Sequence, residues 1–67
     1  MGDSGERLIR RPAVRAKTGL PTSTLYDYME RGDFPRPVKL SSTSVAWVES
    51  EVDAWIATRI RDSRDAA

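Results

Sequence analysis

Two pairs of glycine and proline bracket a short segment of this chain and limit what it can form. Gly19 and Pro21 precede the segment, and Gly32 and Pro35 follow it. A glycine takes the left-handed conformation that ends one helix, and a proline fits the first turn of the next. A proline also disfavours helix at the residue before it. The spacing therefore predicts a turn, a helix of about ten residues over 22–31, and an abrupt stop.

This predicted second helix has two unlike faces. Leu25, Tyr28 and Met29 recur at i, i+3 and i+4, which is typical of the buried stripe of an amphipathic helix. The opposite face is polar and carries Thr22, Ser23, Tyr26, Asp27 and Glu30. The second helix of a helix-turn-helix needs such a face, because its first turns reach base edges in the major groove of DNA.

The hydroxyl groups at the start of this helix have two interpretations. Thr22, Ser23 and Thr24 could accept hydrogen bonds from the free N–H groups of the first turn, which is the role of a capping residue. Thr22 and Ser23 could instead contact bases, since hydroxyl groups suit both purposes. The sequence by itself favours neither interpretation.

Weaker patterns on both sides predict the remaining elements. Pro12 predicts the start of a first helix that runs to about Thr18, with Val14 as its apolar anchor. Residues 7–10 could be a short strand or only a lead-in to that helix. After the second helix, residues 34–37 contain two prolines and are expected to be extended.

A β-hairpin is predicted next. Residues 38–40 alternate apolar and polar side chains, residues 41–44 form a polar turn, and residues 45–47 form the second strand. The loop of this hairpin would be the wing of a winged helix. The last segment is the clearest helix, because five apolar residues recur at helical spacing: Val48, Val52, Trp55, Ile56 and Ile60.

The predicted fold is therefore mainly α with a small β-hairpin. It is a winged helix-turn-helix with three helices and a two-stranded wing, and it occupies residues 7–61. Residues 1–6 are expected to be disordered and residues 62–67 to be frayed.

The composition excludes several classes of function. The 67 residues include no cysteine and no histidine, which removes disulfides, thiolate chemistry, the usual zinc sites and an imidazole base. The longest apolar run, residues 45–48, is too short to span a membrane, and residues 1–6 lack the apolar segment of a signal peptide. We expect a cytoplasmic protein without cofactor, metal or small-molecule ligand, and not an enzyme.

Charge is distributed unevenly along the chain. The net charge is only +1, but residues 7–39 hold eight basic and three acidic side chains, whereas residues 41–67 hold three basic and five acidic ones. This distribution predicts a weakly basic face, as expected of a surface that meets nucleic acid.

Several segments of the sequence resemble one known family. They are Arg7-Leu8-Ile9-Arg10, Lys17-Thr18-Gly19-Leu20, Gly32-Asp33-Phe34-Pro35-Arg36-Pro37-Val38-Lys39-Leu40 and Ser50-Glu51-Val52-Asp53-Ala54-Trp55-Ile56. Together they resemble the AlpA family of phage and prophage regulators, which are related to MerR-like winged helices and phage excisionases. The resemblance covers residues 7–60. It implies a winged helix that binds double-stranded DNA, as a transcription regulator or as an excisionase-like factor of a mobile element.

The resemblance and the residue types together predict a binding surface. The exposed face of residues 22–31 would enter the major groove, and residues 39–45 would form the wing. The residues expected to read bases are Thr22, Ser23, Tyr26 and Asp27. The residues expected to contact phosphates are Arg11, Lys17, Arg31, Arg36, Lys39, Ser42 and Thr43. Family members often carry a basic residue at the positions of Asp27 and Thr43, so this chain is expected to bind more weakly or to a different target.

Other interpretations stay open for parts of this surface. The exposed second helix could dock an integrase or a polymerase instead of DNA, and the low net charge and Asp27 favour that alternative. Further copies of the chain on adjacent DNA sites and an integrase are the other candidate partners. Trp47 and Trp55 are expected to pack in the core rather than to stack on single strands. Glu49 and Asp53 are expected to be helix N-terminal charges rather than a catalytic pair.

Overall fold

The computed structural model describes residues 6–66, and it confirms a mainly α fold with a small antiparallel sheet. The elements in chain order are β1 (Leu8–Ile9), α1 (Arg11–Thr18), α2 (Thr22–Glu30), β2 (Val38–Lys39), β3 (Val45–Val48) and α3 (Glu49–Ala66). The predicted disorder of residues 1–5 and fraying of residue 67 lie outside the described residues. Glu6 is described, and its carboxylate accepts a hydrogen bond from Ser50 Oγ at 3.0 Å. The segment 62–66, where fraying was expected, is helical.

The sheet has three strands where the sequence predicted two. β2 and β3 form the predicted hairpin, in which Val38 lies opposite Ala46 and Lys39 opposite Val45. β1 pairs with the other edge of β3, so the strand order is β1-β3-β2. The predicted two-stranded wing is confirmed, and the lead-in to α1 is a third strand on the other edge of β3.

Val48 ends a strand, whereas the sequence predicted it on the last helix. It is the fourth residue of β3 and lies opposite Leu8 of β1. The N–H of Glu49 then donates to the carbonyl of Arg7 at 2.7 Å, which extends this pairing to the first residue of α3. Backbone pairing with a distant strand therefore overrides the helical spacing of Val48.

One small core joins the elements. Four large side chains are fully buried, one from each helix and one from the sheet: Val14, Leu25, Trp47 and Val52. Ile9, Met29 and Phe34 complete the buried cluster. The predicted anchor of α1 and the predicted stripe of α2 are confirmed, because Val14 and Leu25 have no exposed surface.

The turn between α1 and α2 forms as predicted at its glycine. Gly19 has φ 74°, and its N–H donates to the carbonyl of Arg15 at 2.7 Å. Pro21 is the N-cap residue of α2, and no side chain makes a capping hydrogen bond there. The capping interpretation of Thr22 and Ser23 is therefore wrong, because α2 begins one residue after Pro21 and both hydroxyls lie inside the first turn.

The far end of α2 is closed by backbone hydrogen bonds. Gly32 has φ 78°, and its N–H donates to the carbonyl of Met29 at 3.1 Å. The N–H of Asp33 donates to the carbonyl of Tyr28 at 2.8 Å, which completes a Schellman motif. The chain then turns Phe34 into the core, where it is 4% exposed.

α3 braces this arrangement. Its Val52 is in the core, and its Trp55 packs edge-on against Phe34, with ring centroids 4.9 Å apart, and beside Tyr28 of α2 at 6.2 Å. Trp47 is fully buried in the core and Trp55 is partly buried against it, so core packing of both tryptophans is confirmed. Among residues 6–66, no helix has the length and apolar content that a bilayer crossing requires.

Candidate nucleic-acid interface

The outer face of α2 is open to solvent. Ser23, Asp27 and Glu30 are exposed, Tyr26 is 40% exposed and Thr22 is half-buried. Leu25 and Met29 on the inner face hold the helix against the core. The predicted division of this helix into an apolar and a polar face is therefore confirmed.

An open groove runs along one side of this face. It has a volume of about 510 Å³ and lies between α2 and residues 36–37 of the extended segment. Ser23, Tyr26 and Asp27 line it from the helix, and Arg36 lines it from the opposite wall. The Arg36 guanidinium donates a hydrogen bond to the carbonyl of Met29 at 3.4 Å, which orients this cation toward the helix. We call this cavity the Arg36 groove.

A second cavity is also lined by Tyr26. Its volume is about 360 Å³, and Arg10, Arg11, Tyr26 and Thr43 are among its lining residues. The start of α1 and the hairpin loop therefore meet the outer face of α2 at this point, and Tyr26 lines both cavities. We call this cavity the Arg11 groove. Arg10 was not among the predicted site residues, although the basic run before Pro12 was a signal for it.

The hairpin loop keeps its shape without a glycine. The N–H groups of Leu40 and Ser41 both donate to the carbonyl of Ser44, at 2.8 and 3.2 Å. The Oγ of Ser41 accepts a hydrogen bond from the N–H of Thr43 at 3.3 Å, so a side chain stabilises the turn. The predicted contact residues Ser42 and Thr43 are exposed on this loop.

Lys39 lies at the base of the loop on the side of the Arg11 groove. It is exposed, and it pairs directly with Val45 of β3. Residues directly opposite each other in an antiparallel pair project from the same face of the sheet. Val45 lines the Arg11 groove, so Lys39 projects from that same face.

Lys17 is not brought to this surface. Its Nζ lies 2.7 Å from Oδ1 of Asp53 and 3.2 Å from Oε2 of Glu49, both on α3. The hydrogen bonds to Asp53 and then to Glu49 raise the pKa of Lys17 above its ordinary value of 10.5. Arg7 adds a contact to Glu49 at 3.6 Å. The two carboxylates that were weighed as a catalytic pair therefore hold α1 against α3.

Arg31 lies at the C-terminal end of α2. Its Nη2 is 3.2 Å from Oδ2 of Asp27, and its guanidinium lies 5.0 Å from the centre of the Tyr28 ring. The i,i+4 spacing of Asp27 and Arg31 was a sequence signal for this pair. The charge of Asp27 on the outer face is therefore partly balanced within the same helix.

Comparisons with known proteins identify the family of this chain. Residues 7–60 match the model of the family described as "Prophage CP4-57 regulatory protein (AlpA)". The chain belongs to the AlpA family of prophage regulatory proteins. The matched residues coincide with the range that the sequence resemblance covered, and they include every element from β1 to the middle of α3.

Two relatives illustrate the similarity. The chain is 47% identical over 55 residues to ORF88 of Enterobacteria phage P4, and this alignment covers 82% of the chain but 62% of ORF88. It is 39% identical over 64 residues to the DNA-binding transcriptional activator AlpA of Escherichia coli (strain K12), covering 87% of the chain and 91% of that protein.

Proposed function

We propose that this AlpA-family protein is a regulator that binds double-stranded DNA through the outer face of α2. One observation carries the proposal: this face is exposed, and two cavities with arginine in their walls border it at Tyr26. The description of the E. coli relative as a DNA-binding transcriptional activator supports the same function.

The dimensions of α2 suit the major groove. Its nine residues make a rod ~14 Å long at 1.5 Å per residue, and the groove of B-DNA is ~12 Å wide. We assign base contacts to the side chains on the outer face, namely Thr22, Ser23, Tyr26 and Asp27. Asp27 would accept a hydrogen bond from the amino group of cytosine, and its pairing with Arg31 reduces its repulsion of phosphate.

Phosphate contacts are assigned to the cations and hydroxyls around this face. The Arg36 groove contributes Arg36, the Arg11 groove contributes Arg10 and Arg11, and the end of α2 contributes Arg31. The wing contributes Lys39, Ser42 and Thr43. We leave Lys17 out, because its ammonium group is already paired with two carboxylates of α3.

The proposed biological role follows from the family. The chain would act in the cytoplasm as a transcription regulator or as an excisionase-like factor of a phage or prophage. A single module of this size buries roughly 600–1,000 Å² on DNA, which gives limited specificity. We therefore propose that further copies bind adjacent sites, and an integrase remains a candidate partner in the excisionase-like role.

Salt dependence of DNA binding tests the wing assignment. Lys39→Ala should weaken binding to all sequences alike and reduce the slope of log K against log salt by about one phosphate contact. Arg64→Ala, which removes the same charge near the end of α3, is the matched control and should leave the slope unchanged. If Lys39→Ala and the unmodified protein have equal slopes, the wing does not contact the DNA.

Selection from a randomised DNA library tests the α2 assignment. Tyr26→Ala and Thr22→Ala should change which sequences are selected, with a loss of ~1–3 kcal/mol of discrimination at the contacted positions. If these changes and Lys39→Ala all leave electrophoretic shifts unaltered, the proposed surface is wrong.

Docking of a protein on the outer face of α2 is the second candidate. It is favoured by Asp27 and Glu30, two exposed carboxylates that line the Arg36 groove. A titration with DNA at low salt separates the two candidates. Binding that weakens steeply with salt supports phosphate contacts, whereas an absence of binding at low salt supports the protein partner.

A further inference from the structure

An apolar groove lies on the opposite side of α2 from the proposed DNA surface. It has a volume of about 320 Å³ and runs between the α1–α2 turn, α2 and α3. Its wall includes Leu20, Tyr28, Trp55, Ile56, Arg59 and Ile60. We call it the α2–α3 groove. Tyr28 follows Tyr26 by two residues, or about 200° around the helix, so the two tyrosines face opposite directions.

The aromatic wall of this groove is held in place from behind. The indole N–H of Trp55 donates to the carbonyl of Asp33, and the Trp55 ring packs edge-on against buried Phe34. Tyr28 lies beside the same ring with centroids 6.2 Å apart. The groove therefore presents a preformed surface, which lowers the entropy cost of binding.

The Arg59 guanidinium lies over this aromatic wall and is not paired with a carboxylate of residues 6–66. Its guanidinium carbon is 4.9 Å from the centre of the Trp55 ring and 5.3 Å from that of Tyr28. Among residues 6–66, no carboxylate lies within ion-pair distance of Arg59, whereas Lys17, which also lines the groove, has two such partners. A stacked guanidinium keeps its N–H edge available, and that edge suits two-point binding of a carboxylate.

The rest of the groove is aliphatic and partly uncovered. Ile60 is 47% exposed, while Ile56, one turn earlier, and Leu20 are half-buried against the core. Aliphatic side chains offer little to phosphates or to base edges, which are bound by cations and hydrogen-bonding groups. They do fit the apolar stripe of an amphipathic helix.

We propose that the α2–α3 groove docks an acidic amphipathic helix of a partner protein. Apolar side chains of the partner would cover Leu20, Ile56 and Ile60, and one of its carboxylates would pair with Arg59. Because the groove faces away from Tyr26, the partner and DNA would bind at the same time. A regulator bound to DNA would in this way recruit a second protein through α3.

Solution NMR with a synthetic peptide tests this proposal. The probe is a capped helical peptide with leucine at i, i+3, i+4 and i+7 and glutamate at the other positions, added to the isotope-labelled full chain without DNA. The Trp55 indole N–H and the amides of Leu20 and Ile60 should shift, while the indole N–H of fully buried Trp47 should not. The same peptide with every glutamate replaced by glutamine should bind at least about tenfold more weakly.

Paired variants separate a specific contact from general charge attraction. Arg59→Gln should lower the affinity for the acidic peptide about tenfold. Arg64→Gln removes the same charge from the same helix and should leave that affinity unchanged. Ile60→Gln is a second groove variant at an exposed position, where the fold should tolerate the change, and it should also weaken binding. An unmoved Trp47 resonance reports that each variant is folded.

Several outcomes would overturn the proposal. They are an absence of shifts, shifts confined to the Arg11 or Arg36 groove, equal losses for Arg59→Gln and Arg64→Gln, or a dimer of the free chain with this groove at its interface. Since the titration contains no DNA, its result is separate from that of the DNA-binding experiments. If the chain binds the peptide but does not bind DNA, this inference stands and only the proposed function is rejected.

Discussion

Two tryptophans position the segment that follows α2. The indole N–H of Trp47 donates to the carbonyl of Pro35 at 3.1 Å, and that of Trp55 donates to the carbonyl of Asp33. One tryptophan comes from β3 and the other from α3, so two elements hold the backbone on either side of Phe34. This attachment also places Arg36 opposite α2, which forms the wall of the Arg36 groove.

Replacement of these tryptophans should have unequal effects on stability. Trp47→Phe should lower the free energy of unfolding by about 2 kcal/mol, because it leaves the Pro35 carbonyl without its donor and removes volume from a fully buried site. Trp55→Phe should cost less, because Trp55 is only half-buried and water can replace its hydrogen bond. Urea unfolding followed by circular dichroism measures both values. If Trp47→Phe lowers the free energy of unfolding no more than Trp55→Phe does, this explanation is contradicted.

At the scale of one element, backbone conformation rather than side-chain capping determines where α2 begins and ends. It starts after Pro21 without a side-chain cap and stops at a Schellman motif that requires a positive φ at Gly32. The helix carries no basic residue in its last turn and no acidic residue in its first. The side chains on its outer face are therefore not used to cap the helix ends, which leaves them available to contact a partner.

Gly32→Ala tests the importance of this stop. A Cβ at Gly32 would have no atom within 4 Å, so the cost comes from the left-handed backbone alone and should be about 1–2 kcal/mol of unfolding free energy. Gly32→Asn should cost less, since asparagine tolerates this conformation better than other residues. Glu30→Ala, an exposed helical position, is the control and should change stability little. Thermal or urea unfolding is the measurement, and a neutral Gly32→Ala would show that the chain can leave α2 by another turn.

At the scale of the whole molecule, an ion-pair cluster links the two ends of the fold. Lys17 of α1 contacts Glu49 and Asp53 of α3, and Arg7 before β1 also contacts Glu49. These contacts join residues that are far apart in the chain, and they complement a core of few buried side chains. They also place Lys17 on the side of the α2–α3 groove, away from Tyr26.

The pH dependence of stability should report this cluster. Because the pKa of Lys17 is raised in the folded state, its contribution to stability is complete below 10.5 and is lost as the pH rises through the folded-state value. Lys17→Met keeps most of the side-chain stem but removes the charge. The stability difference between the unmodified protein and Lys17→Met should therefore be constant near about pH 7 to 9 and shrink toward about pH 11.

Urea midpoints at several pH values supply this comparison. Added salt should reduce the same difference at neutral pH, since these groups are partly exposed. A difference that is insensitive to both pH and salt would mean that packing of the side-chain stem, rather than its charge, joins α1 to α3.

The sequence alone determined the features that depend on neighbouring residues. Glycine and proline spacing predicted both ends of α2, the i, i+3, i+4 pattern predicted its buried face, and alternation predicted the β2–β3 hairpin, because each reflects local backbone and side-chain geometry. Tertiary structure alone decided the third strand, the end of β3 at Val48 and the pairing of Lys17 with Asp53. Those features join residues about forty positions apart, and such contacts exist only after the chain has folded them together, so no local pattern encodes them.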